Sequence, residues 1–287
     1  MKSNSVLIVG CGDLGTRVGA SLMNEGWQVA AVRRDIAKLP HGFDGYAADY
    51  ARSGSLDFVA NLQPDYVLTT FNPTERSVSG YRAGFTRAMA YLLAGLGSHR
   101  PQHIIAVSST RVFAEQKGGW VDEDSALSTE DPRAVAMVEA EQLLLTSDHA
   151  ASVVRFAGIY GAPGGRLLSR IARGELCSAQ SCRYGNRIHR DDCAGFLVHL
   201  LQAADAGARL EQVYIGVDDK PAPQFEVESW LARALGVVAK PGSDSPAGHV
   251  PASHKRCRNK ALHASGYQLL YPDYRSGYSA VISDELH

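Results

Sequence analysis

Three glycines stand in one short run, Gly10-Cys11-Gly12-Asp13-Leu14-Gly15. Their G-x-G-x-x-G spacing suits the approach of a pyrophosphate to bare backbone. Gly10 permits a tight turn, Gly12 leaves no Cβ in the path of the phosphates, and Gly15 lets a helix pack close on a strand. The free N–H groups around Asp13 and Leu14, at the positive end of the helix dipole, then hold the phosphates. Arg33-Arg34 follow 18 residues after Gly15. A site for NAD usually has Asp or Glu there, accepting from the ribose hydroxyls; two guanidiniums suit a 2′-phosphate by charge and by bidentate geometry. NADP is therefore the preferred cofactor, and the neighbouring Asp35 keeps NAD open. A solvated basic loop is the plainer alternative. A third feature is Ser108-Ser109-Thr110 at the end of an apolar run. A hydroxyl there can donate to a substrate carbonyl or alkoxide; capping of the strand end is the alternative.

These residues need a scaffold, and the hydrophobic periodicity supplies one. Ser5–Val9 is an apolar, β-branched run that enters the glycine turn, and Thr16–Leu22 reads as the helix after it. Further strands are predicted at Trp27–Val32, Phe43–Asp49, Pro64–Phe71, Pro101–Val107, Ala151–Phe156 and Gln212–Val217. Asp49 ends the third strand, where it can accept from an adenine amino group or serve as a turn cap. Thr69, Thr70 and Asn72 end the fourth, and border the pyrophosphate and ribose. Helices are predicted over Glu75–Leu96, over Arg133–Leu145 behind an Asp131 N-cap and Pro132, over Arg166–Arg173, after Asp191 or Asp192 as N-cap, and over Pro223–Leu235. Residues 114–132 and 158–165 read as loops, and 240–253, rich in Pro, Gly and Ser, as a mobile stretch. Strands alternating with helices imply an α/β fold, a doubly wound parallel Rossmann-type sheet. The expected division is a dinucleotide-binding domain over 1–157, to which 186–205 return, and a small C-terminal α/β lobe over 158–185 and 206–287.

Composition bounds the rest. The chain has 287 residues, 45% hydrophobic and 21% charged, with a net charge of -1. That balance gives no reason to expect nucleic acid or an anionic membrane as partner. No apolar stretch approaches the ~20 residues of a membrane span. The apolar start is too short for a signal peptide. Cys11, Cys177, Cys182, Cys193 and Cys257 are an odd number without C-x-x-C spacing, which argues for a reducing cytoplasm with neither a disulfide framework nor a metal site. Arg166, Arg170, Arg173 and Arg187 hint at an anionic substrate, such as a diphosphate, although a solvated helix face explains the first three.

Four segments resemble the extended short-chain dehydrogenase/reductases, the superfamily of nucleotide-sugar epimerases and dehydratases. Ser108-Ser109-Thr110-Arg111-Val112-Phe113 resembles that family's S-S-x-x-V-Y strand end. Arg155–Gly164 resembles its R-x-x-x-I-Y-G-P-G run, Asn186–Ala194 its N-x-I-H-x-x-D-x-A segment, and Asn259–Leu262 with Tyr271–Gly277 its C-terminal close. The glycine turn is the shorter form common among atypical members. The resemblance implies an NAD(P) cofactor at Gly10, Gly12, Asp13, Leu14, Gly15, Arg33, Arg34, Asp49, Thr69, Thr70, Asn72 and Ser108. It also implies a sugar nucleotide or a small carbonyl or hydroxyl compound as substrate, and a homodimer through the 75–97 and 133–148 helices.

One departure matters most. The family's acid/base pair is Y-x-x-x-K, in which Lys lowers the Tyr pKa. Aligned on Glu139-Ala140-Glu141-Gln142-Leu143-Leu144, this chain has Arg133 at the Tyr position and Met137 at the Lys position. Met carries no charge, and Arg stays protonated at neutral pH. Ser109 matches the family's catalytic Ser/Thr. Two readings follow. In one, the chain is an enzyme in which Ser109 polarises the substrate, Arg133 clamps an oxyanion, and Tyr160, Tyr184 or His189 supplies the proton. In the other, it is an NADP-binding sensor or scaffold without turnover.

Overall fold

The structure is a computed structural model that describes residues 3–177, 183–238 and 254–285. The expected mobile stretch at 240–253 lies outside the described residues, as does Cys182. The chain forms two compact units: residues 1–114, 127–155 and 194–214, and residues 115–126, 156–193 and 215–287.

The first unit is built on strands β1 (Ser5–Val9), β2 (Gln28–Arg33), β3 (Asp44–Ala47), β4 (Tyr66–Thr69) and β5 (His103–Ser109). Val6, Leu7, Ile8 and Val9 are all fully buried. Parallel sheets are covered on both faces, so their inner strands are apolar throughout rather than alternating. With β7 (Ala151–Phe156) and β11 (Val213–Gly216), the sheet order is β11-β7-β5-β4-β1-β2-β3. Strand β1 pairs with β2 and β4, β2 with β3, and β4 with β5, all in parallel register. This is the doubly wound Rossmann-type order, and its direction reverses between β1 and β4, where such sheets bind ligands.

Helix α1 (Asp13–Asn24) follows β1 directly, with Gly12 as its N-cap. A short helix, α2 (Val59–Leu62), precedes β4. The long helix expected from Glu75 starts later, as α3 (Val78–Tyr81). It passes through a π-helical stretch at Arg82–Arg87 into α4 (Ala88–Leu96). Two contacts account for this. Ser77 caps the start by accepting from Gly80 N–H at 3.0 Å. Gly84 lies so near the Asn72-Pro73 turn that a Cβ would come within 2.1 Å of the Asn72 carbonyl oxygen. Helix α5 (Pro132–Leu145) begins as expected, with Asp131 accepting from Arg133 N–H at 3.0 Å.

The second unit holds three small sheets. Strand β6 (Trp120–Val121) pairs with β13 (Arg256–Cys257), β8 (Gly158–Tyr160) with β10 (Arg187–His189), and β9 (Tyr184–Gly185) with β12 (Ala222–Pro223). Its helices are α6 (Arg166–Ala172), α8 (Gln224–Ala234), α9 (Lys260–Ala264) and α10 (Tyr274–Glu285). Leu168, Ile171, Val227, Leu231, Tyr274 and Val281 form its core. Helix α7 (Arg190–Asp205) starts in this unit and continues in the first.

Four sequence expectations are corrected here. Residues 158–165 do not form a plain loop, because β8 needs a partner and finds it in β10. Residues 115–126 belong to the second unit, since β6 bonds β13 and Gly118 N–H donates to the His254 carbonyl at 2.8 Å. Residues 206–214 belong to the first unit, where Val153 N–H donates to the Gln212 carbonyl at 2.8 Å. Neither Asp191 nor Asp192 is an N-cap; both lie in the first turn of α7. Asp192 instead accepts from Leu270 N–H at 2.7 Å, Tyr271 N–H at 3.0 Å and the Tyr267 hydroxyl at 3.2 Å, which fastens the C-terminal segment. Among the described residues, no helix is long and apolar enough to cross a membrane.

A buried charge network ties α5 to the sheet. Glu141 accepts from Arg155 Nε at 3.1 Å and Nη2 at 2.8 Å, and from the Ser108 hydroxyl. Removing one partner of a buried ion pair leaves the other uncompensated, so Glu141→Ala is expected to cost about 3–5 kcal/mol. Urea unfolding of the variant measures it.

Asp218, after β11, is 2% exposed, and its Oδ2 has no partner among the described residues. Burial raises its carboxyl from 3.8 to about 8. Because the folded pKa is raised, the folded state loses stability as pH climbs from 3.8 to about 8. Asp218→Asn is expected to flatten that part of a melting-temperature against pH profile; an unchanged slope would refute the assignment.

Candidate functional site

A cavity of about 200 Å³ opens in the first unit and is lined by residues that follow β1, β2, β3 and β4. Of the residues expected at the cofactor, it brings together Gly10, Gly12, Arg33, Arg34, Asp49 and Asn72; Cys11, Ala48, Tyr50, Pro73 and Thr74 complete the lining. Gly10 has φ of +88°, and a Cβ there would stand 2.9 Å from the Thr70 carbonyl oxygen. Gly12 differs. The nearest atom to a Cβ built there is the Gly10 carbonyl oxygen at 3.9 Å, so the protein leaves that space open beside the cavity. At Gly15 a Cβ would lie 2.8 Å from Ile8 Cγ2, which is the close helix–strand packing the spacing implies. The first-turn N–H groups of α1, among them those of Asp13 and Leu14, have no intrahelical acceptor. Open space at Gly12 together with these donors fits the phosphates of a dinucleotide.

Arg33 and Arg34 both line the cavity, while Asp35 does not. Asp35 is committed elsewhere. It accepts from Ala37 N–H at 3.2 Å, capping a 3-10 turn, and pairs with Lys38 at 3.2 Å. Its carboxyl is held below the ordinary value by the Lys38 hydrogen bond.

Asp49 accepts from Ala51 N–H at 3.1 Å, so it caps a turn and lines the cavity at once. Tyr50 carries no obvious sequence signal, yet its hydroxyl donates to the Asn72 carbonyl at 3.3 Å and accepts from Asn72 N–H at 3.2 Å. It thereby braces one wall. Thr69 and Thr70 are buried and do not line this cavity. Thr70 donates to the Gly10 carbonyl at 2.8 Å, and Thr69 Oγ1 has no partner among the described residues.

The strand-end hydroxyls divide by role. Ser108 is buried and bonded to Glu141. Ser109 is half-buried, and its Oγ accepts from Arg111 N–H at 3.2 Å, which leaves its own proton to donate. Arg111 pairs with Asp131 at 2.6 Å, and Asp131 caps α5 through Arg133 N–H. This chain of contacts fixes the start of α5 against the end of β5. The Arg133 side chain is exposed. Met137 is 4% exposed and packs as core.

The second unit holds Tyr160 and His189 together, their rings edge to face at 5.3 Å. Tyr160 stacks on Tyr278 at 4.4 Å and lines a separate cavity of about 660 Å³. Its pKa is raised by burial and by the nearby Asp218. His189 is 3% exposed and lines neither cavity. Its Nδ1 accepts from Asp191 N–H at 3.2 Å, and its ring packs on Tyr271 at 4.1 Å. Asp218 escaped the sequence reading because one acid in an ordinary turn carries no signal of burial.

No family model matches the chain. A solved structure from Methylobacillus flagellatus, described provisionally as an NAD-dependent epimerase/dehydratase, is 33% identical, matches over 100% of both chains, and has a TM-score of 0.84. A 3-diazoavenalumate denitrifying reductase from a Streptomyces species is 26% identical over 95% of this chain and 98% of that protein. The human epimerase family protein SDR39U1, solved with NADPH, shares the fold at 20% identity, with a TM-score of 0.75 over 98% of this chain and 99% of that one. With full coverage at 33% identity, and with the glycine turn and strand-end motifs in place, the chain belongs to the NAD-dependent epimerase/dehydratase family.

Proposed function

We propose that this chain binds NADP in the cavity of its first unit and is a reductase or epimerase with acid/base residues other than the Tyr–Lys pair. Its substrate is a small carbonyl or hydroxyl compound or a sugar nucleotide. The observation that carries the reading is the cavity lining: Arg33 and Arg34 face it, and Asp35 is turned to its own cap. The human neighbour solved with NADPH supports the cofactor, and the Streptomyces relative supports reductase chemistry.

When bound, NADP supplies the hydride chemistry. The residues do the rest. Gly12 and the first turn of α1 hold the pyrophosphate. Arg33 and Arg34 take the 2′-phosphate by charge-assisted hydrogen bonds. The second oxygen of Asp49 accepts from the adenine. Ser109 donates its free proton to the substrate oxygen, and Arg133 stabilises negative charge developing there. Tyr160, kept protonated by burial, can donate a proton but not accept one at neutral pH. The homodimer through the 75–97 and 133–148 helices belongs to this proposal; Val78 and Leu143 are large apolar side chains exposed on them.

A sensor without turnover is the second reading. Met137, buried where the family has Lys, favours it. Turnover separates the two. Across a panel of small carbonyls and sugar nucleotides, the enzyme reading expects NADPH oxidation, which Ser109→Ala lowers about a hundredfold in kcat. No oxidation across the panel selects the sensor. The cofactor site has its own test. Arg33→Asp with Arg34→Ala is expected to weaken NADPH at least about tenfold more than NADH, the loss of one charge-assisted contact. An unchanged ratio would refute the 2′-phosphate assignment.

A further inference from the structure

Several of the chain's arginines are answered by carboxylates. Arg155 has Glu141, Arg170 has Glu228, Arg111 has Asp131 and Arg173 has Glu175. Arg187 is different. It is 7% exposed and lines the cavity of about 660 Å³ in the second unit. Its Nη1 donates to the Gly185 carbonyl at 3.3 Å, its Nη2 donates to Gln224 Oε1 at 2.6 Å, and it also donates to the Tyr278 hydroxyl. All three acceptors are neutral. Among the described residues no carboxylate forms an ion pair with it; Asp218 acts on it only through longer-range charge.

Glu228 is the buried acid nearest in the hydrogen-bond network, and it is spent. It takes Arg170, Cys177 N–H at 2.6 Å and the Gln224 amide at 2.6 Å. Gln224 therefore presents its carbonyl to Arg187 and its amide to Glu228, which separates the two charges. A buried cation without a counter-ion is costly, and an incoming anion relieves that cost. A guanidinium has five N–H groups. Three are used, which leaves two N–H groups for an incoming carboxylate.

Much of the rest of the lining is apolar: Ile159, Ala162, Pro163, Leu167 and Leu168, with the Tyr160 and Tyr278 rings; Asn186, also in the lining, has its amide engaged by the Lys255 carbonyl and Cys257 N–H. Arg166 lines the cavity too, but is exposed. A nucleoside diphosphate would bring several charges and many hydroxyls to a wall that offers one buried cation. We infer that this cavity takes an amphipathic organic acid, whose single carboxylate sits on Arg187 and whose hydrocarbon body lies along Ile159, Pro163 and Leu167. The inference deepens the proposed function, resting on it for the claim that the bound acid is the substrate.

Calorimetric titration of the full chain tests it, first with NADPH and then, in its presence, with 3-phenylpropanoate, 3-phenylpropanamide, phenyl phosphate and UDP-glucose. The acid is expected to bind at least about tenfold tighter than the amide, the value of one charge-assisted hydrogen bond. Arg187→Lys, which keeps the charge but loses the fork, is expected to weaken the acid and leave the amide and NADPH unchanged. Equal binding of acid and amide, no binding of the acid, or tighter binding of phenyl phosphate or UDP-glucose would overturn the inference. The acid–amide comparison on the unaltered chain stands even if Arg187→Lys does not fold. Failure of NADPH to bind would strike the proposed function; failure of the acid alone would strike only this inference.

Discussion

At Gly15 the backbone of α1 lies so close to β1 that a Cβ would come within 2.8 Å of Ile8 Cγ2. That approach is the constraint from which the first unit's site follows. It sets α1 over the end of β1 and directs its first turn, with unmatched N–H groups, at the cavity. Gly10 completes the turn at φ of +88°, packed against the Thr70 carbonyl, and the Thr70 hydroxyl donates back to the Gly10 carbonyl at 2.8 Å. Gly12 then leaves open space where any other residue would place a side chain. Two of the glycines are explained by what the protein fills; the third is explained by what it leaves unfilled.

The charges of the two units follow different rules. In the first, Glu141, Arg155 and Ser108 satisfy one another inside the fold, and Arg111 with Asp131 locks α5 to the end of β5. These are structural bonds made by residues of the family's own motifs. At the cavity, Arg33 and Arg34 line open space, and Arg33 Nη1 donates to the neutral Lys38 carbonyl at 3.4 Å. In the second unit Arg170 is answered by Glu228 while Arg187 is not. A cation held by a carboxylate supports the fold; a cation given only neutral acceptors is available for a ligand.

Much of this was legible in the sequence. Apolar runs marked six of the seven strands of the main sheet, because a parallel sheet buried on both faces needs them; the edge strand β3, whose residues are mostly exposed, has no such run. Six of the expected cofactor residues line one cavity because the βα turns of a doubly wound sheet converge at its switch point. What was not legible depended on distant partners. Nothing near Ser108 announces that its hydroxyl will be taken by Glu141. Thr69 and Thr70 sit at the right strand end, but their side chains turn into the packing. Tyr50 braces the cavity through Asn72, a contact that spacing cannot show. Asp192 looked like a cap and became an anchor for residues 267–271. Two-residue strands such as β6 have too few residues for any period, so their pairing, and with it the unit to which 115–126 belong, could not be read.

Met137 separates cofactor binding from chemistry. The family's lysine acts through charge, and a buried thioether at its position has none. The site therefore has to be judged first on what it binds. Titration of the unaltered chain with NADPH and with NADH measures this most directly. Two guanidiniums at a 2′-phosphate predict a Kd for NADPH at least about tenfold below that for NADH. Equal affinities, or no binding of either nucleotide, would contradict the account.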